Sequence, residues 1–381
     1  MHPSIYLLAI ATFAMATTEF GIVGMIPRIS AEFGIGLAEG GLIVSAYATA
    51  MVVGAVGINV VGQRLSVRAI LLGCILVFSL ANALSAAAPT YGLLIAGRVV
   101  SGMAQGAVYG LGTAAAAIIV RESHSTRAVS VVFVGPTIAM VLGVPLAAYV
   151  GADGGWRVVF VAIGATAFLA CMLLLWVMPH RVGLHIAPAG RLVGLLGNPQ
   201  LLSVYAITIL SFGGSTMAFT YFPALFGDQD VNSGFYMTMF GAGAVAGNLL
   251  AGRVSDRIGF AAAAVIAIFG LIACLGLLPV TLTSPAALPA ILFLWGTFAF
   301  SLPPILQTEA VRIARSSGLA AAASSLNTAS FNVGIGGAAL FASFLVQTIG
   351  IPAIPSVGAA MATLALLLTL AIRMRATRRP R

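Results

Sequence analysis

The chain has 381 residues, of which 60% are apolar and only 7% are charged. A water-soluble fold of this length carries roughly a quarter charged residues to cover its surface, so the composition excludes an ordinary soluble enzyme or binding protein. The net charge of +9 comes from 18 arginines against nine acidic residues, with no lysine. In so apolar a chain these arginines are typical of short loops that border membrane spans, and we expect no nucleic-acid partner.

Twelve apolar runs follow one another along the chain. They cover residues 4–27, 38–61, 69–88, 91–120, 128–151, 157–178, 200–226, 232–252, 260–281, 286–308, 318–347 and 352–372. A helix of about 20 residues crosses a bilayer, whereas outer-membrane barrel strands need only ~10 alternating residues. The sequence therefore predicts an all-α membrane protein of twelve transmembrane helices.

A polar stretch in the middle of the chain divides the runs six and six. We expect an N-terminal six-helix bundle over 1–180, a cytoplasmic linker over 181–199, and a C-terminal bundle with a basic cytoplasmic tail over 200–381. Arg64-Leu65-Ser66-Val67-Arg68 follows the second run, and Arg253-Val254-Ser255-Asp256-Arg257 follows the eighth. This internal likeness predicts two pseudo-repeats, an arrangement that transporters build around a central site.

The positions of the arginines predict the orientation of the spans. If the N-terminus is cytoplasmic, 15 of the 18 arginines face the cytoplasm, Arg28 and Arg157 face outside, and Arg98 lies within a span. Arginine is strongly enriched in cytoplasmic loops. We therefore expect a multi-pass protein of the inner (cytoplasmic) membrane with both termini in the cytoplasm.

Two charged residues lie well inside apolar runs: Glu19 in the first and Arg98 in the fourth. From the helical rise of 1.5 Å per residue, both lie about 10 to 12 Å from the outer end of their span, so they can pair. A charge within a span costs about 2.5–3.5 kcal/mol on insertion scales and usually marks function. Two interpretations stay open, a proton site and an ion pair that fixes helix packing.

Further polar residues within the runs are candidates for a substrate cavity, although each can equally be an interhelical hydrogen bond. These candidates are Tyr47, Gln105, Tyr109, Thr113, Thr220, Tyr221, Asn327 and Asn332.

Glycine and proline patterns predict close helix packing and one broken helix. Small residues four apart let helices approach, as at Gly102, Gly106 and Gly110, and at Gly243 and Gly247. In the fifth run, Pro136 and Pro145 remove backbone hydrogen bonds, and Gly135 and Gly143 remove side-chain bulk. We expect a kink there.

The sequence predicts neither a cofactor nor a metal. The three cysteines are far apart within apolar runs, and the four histidines lie outside the runs. No phosphate-binding Gly-x-x-x-x-Gly-Lys-Ser/Thr loop occurs. Transport would therefore be driven by an ion gradient or by the gradient of the substrate itself.

Four motifs resemble those of the major facilitator superfamily in its twelve-span drug:proton antiporter branch. They are Arg98-Val99-Val100-Ser101-Gly102 with Gly106; Gly135-Pro136 and Gly143-Val144-Pro145-Leu146, followed by Gly155-Trp156-Arg157; Gly252-Arg253-Val254-Ser255-Asp256-Arg257-Ile258-Gly259; and the set Thr18-Glu19-Phe20, Phe219-Thr220-Tyr221 and Asn327 with Phe331-Asn332-Val333-Gly334. The last set is similar to chloramphenicol-resistance and arabinose-efflux exporters. Ser101 stands where the branch usually has Gln.

The resemblance implies roles for several residues. It implies proton coupling through Glu19 and Arg98, and an antiporter motif formed by Gly135, Pro136, Gly143 and Pro145. Its gating loop would comprise Arg64, Arg68, Gly252, Asp256, Arg257 and Gly259. In the first half Val67 replaces the acid of that loop, which puts the gating role of that half in doubt.

The expected function is therefore proton-coupled export of small amphipathic molecules such as phenicol-like antibiotics. The alternatives are a sugar or purine/nucleoside exporter and, remotely, an intramembrane enzyme. The expected partners are a small-molecule substrate, protons and the lipid bilayer, with the protein acting as a monomer.

The predicted topology can be tested with reporter fusions at Arg191 and Arg381. Because both sites should face the cytoplasm, each fusion should be active with a cytoplasmic reporter and silent with a periplasmic one. A periplasmic signal at either site would contradict the orientation derived from the arginines.

Overall fold

A computed structural model of the chain describes residues 2–61, 65–120, 125–151, 155–180, 194–226, 233–282, 284, 286–315 and 319–377. These residues are almost entirely helical, and no strand occurs among them. The chain divides into two compact units, Met1–Ala189 and Gly190–Arg381.

The described part of unit 1 contains eight helices that form six long segments. They are α1 (Pro3–Gly21), α2 (Ile26–Phe33), α3 (Leu37–Val61), α4 (Val67–Ala86), α5 (Tyr91–Ile119), α6 (Ser125–Ile138), α7 (Val144–Val150) and α8 (Trp156–Val177). A 3₁₀ turn, Ile22–Met25, joins α1 to α2, and a π-helical turn, Ala139–Gly143, joins α6 to α7.

In unit 2 the described residues form six helices. They are α9 (Pro199–Thr220), α10 (Ser233–Ile258), α11 (Phe260–Thr281), α12 (Ala287–Ala314), α13 (Ala320–Ile349) and α14 (Ile354–Thr377). Short 3₁₀ turns occur at Pro223–Phe226 and Ile351–Ala353.

Ten helical segments of the described chain are long and apolar enough to cross a membrane. The two other long helices are α5, with 29 residues, and α10, with 26. Each predicted apolar run therefore corresponds to one long helical segment, and the prediction of a twelve-helix, all-α membrane protein is confirmed.

The helices pack in the same order within each unit. In unit 1, α3 packs on α5, α4 packs on α5 and α8, and α1 packs on α6 and α8. In unit 2, α10 packs on α12, α11 packs on α12 and α14, and α9 packs on α13 and α14. Each unit is thus a six-segment bundle of the same internal design.

Glycines form the tightest helix contacts in both bundles. A side chain at Gly102 or Gly106 of α5 would collide with the backbone of α3, and one at Gly243 or Gly247 of α10 would collide with the backbone of α12. Because lipid offers no hydrophobic force between helices, such close packing is a main source of helix association. A side chain added at Gly110 would meet no neighbouring atom, so this glycine does not take part in the close packing.

The predicted break in the fifth span follows from Pro136. Proline has no N–H, so the carbonyl of Val132, four residues earlier, loses its helical partner. The Thr12 hydroxyl of α1 lies 2.9 Å from that carbonyl and also 3.0 Å from the carbonyl of Ala9. Gly135 allows the two helices to approach closely enough for this contact. The helix then continues as the π-helical turn before α7.

The predicted gating loop is largely helical, which corrects its description as a loop. In unit 2, Gly252, Asp256 and Arg257 lie in the last turns of α10, and the helix ends at Gly259, whose φ of 81° favours glycine. In unit 1, Arg68 lies in the first turn of α4. Its Nη2 atom lies 2.5 Å from the carbonyl of Leu175.

The five-residue segments that suggested the repeat therefore occupy different places in their units, one at a helix start and one at a helix end. Val67 is the first residue of α4 and follows the N-cap residue Ser66, and its side chain is buried. Arg64 lies outside the described residues, as does residue range 181–193 of the predicted linker.

The hydrogen bond between Thr12 and Val132 should contribute to stability only because Pro136 leaves a carbonyl free. We expect Thr12→Val to lower the free energy of unfolding by about 1 kcal/mol, within the range of interhelical bonds in membranes. In a Pro136→Ala background the restored N–H can occupy the carbonyl, so the loss should be smaller. Unfolding in mixed micelles measures the four proteins of this cycle. Equal losses in both backgrounds would contradict the account.

Candidate functional site

A buried polar network lies inside unit 1, where α1, α3 and α5 meet. It contains Glu19 of α1, Tyr47 of α3, and Arg98 and Gln105 of α5. Glu19 is 8% exposed, and the side chains of Arg98 and Gln105 are completely buried. Sequence reasoning had singled out all four residues, and the structure brings them into one cluster.

The Gln105 side chain links the acid to the tyrosine. Its Nε2 atom donates to a carboxylate oxygen of Glu19 at 2.6 Å. Its Oε1 atom accepts a hydrogen bond from the Tyr47 hydroxyl. Both functions of the amide are therefore used, and the carboxyl group is held by a neutral donor that tolerates either of its protonation states.

Arg98 does not form a direct ion pair with Glu19, which was one of the two interpretations that the sequence left open. Its Nη1 atom donates instead to the backbone carbonyl of Thr18 at 2.9 Å, and its guanidinium lies 3.8 Å from the ring centroid of Tyr47. The estimate of depth along the span was right, since Thr18 precedes Glu19. The partner differs because the rotation of each helix about its axis decides which neighbouring group the guanidinium reaches.

Two nitrogen atoms of Arg98, Nε and Nη2, are buried and have no hydrogen-bond partner among the described residues. A buried donor without a partner is costly, and more so on a charged group. The guanidinium is therefore only partly satisfied in this conformation. The N–H groups of these two nitrogen atoms can donate hydrogen bonds to an anionic oxygen that comes within reach.

The network continues into α4 through a residue that sequence reasoning missed. The Thr18 hydroxyl donates to Oδ1 of Asn82 at 2.8 Å, and Nδ2 of Asn82 donates to the carbonyl of Phe78. Asn82 is a single amide within the third apolar run, which is the signal that could have identified it.

Tyr109 and Thr113 extend the same face of α5 beyond Gln105. Arg98, Gln105 and Tyr109 are separated by seven and four residues, so they line one side of the helix. Tyr109 is half-buried. Thr113 is also half-buried, and its hydroxyl lies 3.3 Å from the carbonyl of Tyr109, within α5 itself.

In unit 2, Asn327 serves as an interhelical link. Its Oδ1 atom accepts from the Thr208 hydroxyl of α9 at 2.9 Å, and its Nδ2 atom donates to Gln307 of α12 at 2.7 Å. Gln307 in turn donates to the carbonyl of Ser324. With both amide functions engaged and the side chain fully buried, this residue fits the packing interpretation rather than the substrate one.

The remaining unit 2 candidates differ from one another. The Thr220 hydroxyl donates within α9 to the carbonyl of Thr216. Tyr221 is buried in an apolar cluster with Met217 and Ile354. Asn332 is also buried, and its Oδ1 atom has no hydrogen-bond partner.

Glu32 and Glu309 both lie on helices and are paired. Glu32 of α2 accepts from the indole Nε1 of Trp156 at 2.5 Å and forms an ion pair with Arg157. The carboxylate of Glu309 in α12 is nearly buried and is bound by Arg312 at 2.6 Å. Arginine thus neutralises both acids, whereas Glu19 has no ion-pair partner within 4 Å among the described residues.

The comparison with known families decides what kind of protein carries this network. The family described as Major Facilitator Superfamily matches residues 8–327. The chain belongs to the Major Facilitator Superfamily. It is accordingly a multi-pass membrane transporter of small molecules and not an enzyme.

Several bacterial members of the superfamily resemble the chain over most of its length. The MFS-type transporter YtbD of Bacillus subtilis is 32% identical, with 96% of this chain and 94% of that protein covered. The inner membrane transport protein YdhP of Escherichia coli K12 is 30% identical, with 95% and 93% covered. A chloramphenicol resistance protein of Streptomyces lividans is 32% identical, with 89% and 88% covered.

The fold also agrees with a solved superfamily structure. A crystal structure of the nucleoside transporter NupG aligns with a TM-score of 0.74, covering 97% of this chain and 98% of that one. Because the sequences are only 12% identical, this likeness concerns the fold alone. The predicted major facilitator fold is confirmed.

Proposed function

We propose that this transporter exports small amphipathic molecules in exchange for protons, and that Glu19 is the group that carries the proton. The observation that supports this proposal is a carboxyl group buried in α1 and held by the Gln105 amide, with a partly satisfied guanidinium close by. A purely structural ion pair would join the two charges directly.

The geometry allows the Glu19 carboxyl group to exist in a protonated and a deprotonated state with different partners. When protonated, Glu19 is neutral and needs only the bond from Gln105, while Arg98 rests on the Thr18 carbonyl and the Tyr47 ring. When the proton leaves, the carboxylate needs charge compensation, and Nε and Nη2 of Arg98 are free to provide it. Proton loss would therefore pull α1 and α5 into a new register. Alternating access requires such a coupled movement.

In the exchange cycle, substrate binding from the cytoplasm would release the proton, and outward opening would let a proton return to Glu19. Gate switching would be controlled by residues at the ends of helices, namely Arg68, Gly252, Asp256, Arg257 and Gly259. The broken span at Gly135, Pro136, Gly143 and Pro145 would limit leakage. We further propose that the protein acts as a monomer in the inner membrane with both termini cytoplasmic.

The proposed substrate class rests on the names of relatives. The relative from Streptomyces lividans is named a chloramphenicol resistance protein, which favours an amphipathic antibiotic. A relative from Helicobacter pylori, 27% identical with 95% of this chain and 93% of that protein covered, is named "Probable sugar efflux transporter" and favours the sugar alternative. Accumulation of chloramphenicol and of arabinose by the same vesicles distinguishes these two alternatives.

The proton role can be tested with Glu19→Gln in everted vesicles under an imposed pH gradient. Gln has nearly the shape of Glu, and its side-chain oxygen can take the place of the carboxylate oxygen that accepts from Gln105. Insertion and folding should therefore survive. Because it cannot release a proton, gradient-driven substrate accumulation should fall to the level of empty vesicles. Arg98→Ala should abolish accumulation as well and should in addition destabilise the folded protein, since it removes the charge that would compensate the carboxylate.

Glu39→Gln is the matched control, because Glu39 lies at the start of α3 and its backbone carbonyl, not its carboxylate, accepts from Tyr91. This variant should accumulate substrate as the parent does. Normal accumulation by Glu19→Gln would refute the proton role and leave Glu19 as a packing residue.

A further inference from the structure

The two units can be aligned residue by residue through their closest helix contacts. In unit 1, Gly54 faces the carbonyl of Met103, and Gly102 faces that of Tyr47. In unit 2, Gly247 faces the carbonyl of Thr297, and Gly296 faces that of Phe240. Seven residues separate Tyr47 from Gly54, and seven separate Phe240 from Gly247. The α3–α5 contact therefore corresponds in register to the α10–α12 contact, and Phe240 takes the place of Tyr47.

A second contact aligns α1 with α9. Gly135 faces the carbonyl of Ala9, and Gly334 faces the carbonyl of Ile209. Glu19 lies ten residues after Ala9, and Phe219 lies ten residues after Ile209. Phe219 therefore occupies the place of Glu19.

An independent contact supports this register. The same offsets place Phe212 at the position of Thr12 and Phe331 at that of Val132. Thr12 bonds to the carbonyl of Val132. The rings of Phe212 and Phe331 meet with centroids 5.1 Å apart.

The polar network of unit 1 is thus replaced by apolar residues in unit 2. Phe219 stands for Glu19 and Phe240 for Tyr47, while Leu292 stands for Arg98 and Ala299 for Gln105. The four helices concerned, α9, α10 up to Gly252, α12 up to Thr308 and α13, contain no charged residue. One unit carries the ionisable groups, and the other presents a neutral surface at the equivalent positions.

The replaced positions form part of a continuous set of rings, which we call the aromatic cluster: Phe212, Phe219, Phe240, Trp295, Phe300 and Phe331. Phe219 stacks on Phe240 with centroids 4.6 Å apart and planes at 26°. Trp295 meets Phe240 edge to face at 5.0 Å, and its indole N–H is used by Ser215. Phe300 contacts both Phe240 and Phe212.

We propose that the aromatic cluster binds an uncharged, planar aromatic ring of the exported molecule. This inference rests on the exchange function proposed above, and it assigns ring recognition to unit 2. The cluster takes the place that the proton site has in unit 1, so it lies on the helices whose equivalents would move with the proton. A ring stacked there would be recognised by edge-to-face and offset contacts.

The chemistry of the cluster specifies the ligand further. Phe300 and Phe331 are only half-buried, so their rings keep surface that a ligand can cover. The parts of the four helices named above contain no charged side chain that could compensate a ligand charge, which favours a neutral ring. Asn332, next to Phe331, has a buried Oδ1 without a partner, and a hydroxyl or amide N–H on the ligand could satisfy it.

Equilibrium binding of radiolabelled chloramphenicol, which carries a neutral nitrophenyl ring, to the purified full-length protein tests this assignment. Phe300→Leu keeps most of the apolar volume and removes the ring, so the Kd should rise roughly tenfold. Phe300→Tyr keeps the ring and should bind within about twofold of the parent. Phe269→Leu is the matched control, because Phe269 lies on α11 outside the aromatic cluster and is largely exposed. It should leave the Kd unchanged.

An unchanged Kd in Phe300→Leu, an equal loss in Phe269→Leu, or no saturable binding to the parent would overturn the proposal. Phe331→Leu provides a second variant if Phe300→Leu does not fold, and should show the same weakening. Binding is measured without a pH gradient. If Glu19→Gln transports normally while Phe300→Leu binds weakly, the proton proposal fails and the ring site stands.

Discussion

The interaction on which the rest of the structure depends is the hydrogen bond from Gln105 to the carboxyl group of Glu19. An acid within a span has no water to solvate it, so its charged form requires a partner. Here the partner is an amide, fixed in turn by the Tyr47 hydroxyl, while the guanidinium of Arg98 is held to one side. A carboxyl group held in this way can lose its proton and gain a new partner. A direct ion pair would have fixed it in its charged form.

The surrounding architecture positions these few atoms. Glycine contacts set the depth at which α3 meets α5, which places Tyr47 beside both Gln105 and Arg98. The broken span at Pro136 leans on α1 through Thr12. A movement of α1 that follows the protonation of Glu19 would therefore reach the span that the family resemblance associates with export.

The two units use one helix arrangement for different chemistry. At equivalent positions one carries a carboxyl, a phenol, an amide and a guanidinium, and the other carries two phenylalanines, an alanine and a leucine. In the mechanism proposed above, this difference would keep two environments apart, because an aromatic ring prefers apolar neighbours and a titrating acid needs polar ones.

Much of the fold was predictable because hydropathy reports directly on lipid exposure. The apolar runs located every long helix to within a few residues, except where the helix continues into more polar residues, as in α2 to Phe33, α10 to Ile258 and α12 to Ala314. Glu19 and Arg98 were also predictable as functional candidates, since a charge within a span is rare and the helical rise gives its depth, whereas Asn82 of the same network was missed. The choice of partners was not, because it depends on helix rotation, which sequence spacing does not determine. The aromatic cluster was missed for a related reason, since phenylalanines in apolar runs carry no signal until the helices are assembled.

The most direct test of the central claim is proton release on ligand binding. The purified protein in weakly buffered detergent solution is mixed with chloramphenicol near neutral pH, and a pH indicator reports the protons released. If Glu19 exchanges its proton for substrate, the parent should release up to one proton per ligand bound, and Glu19→Gln should bind ligand and release none. Equal proton release from Glu19→Gln, or ligand binding to the parent without any release over the whole accessible pH range, would contradict it.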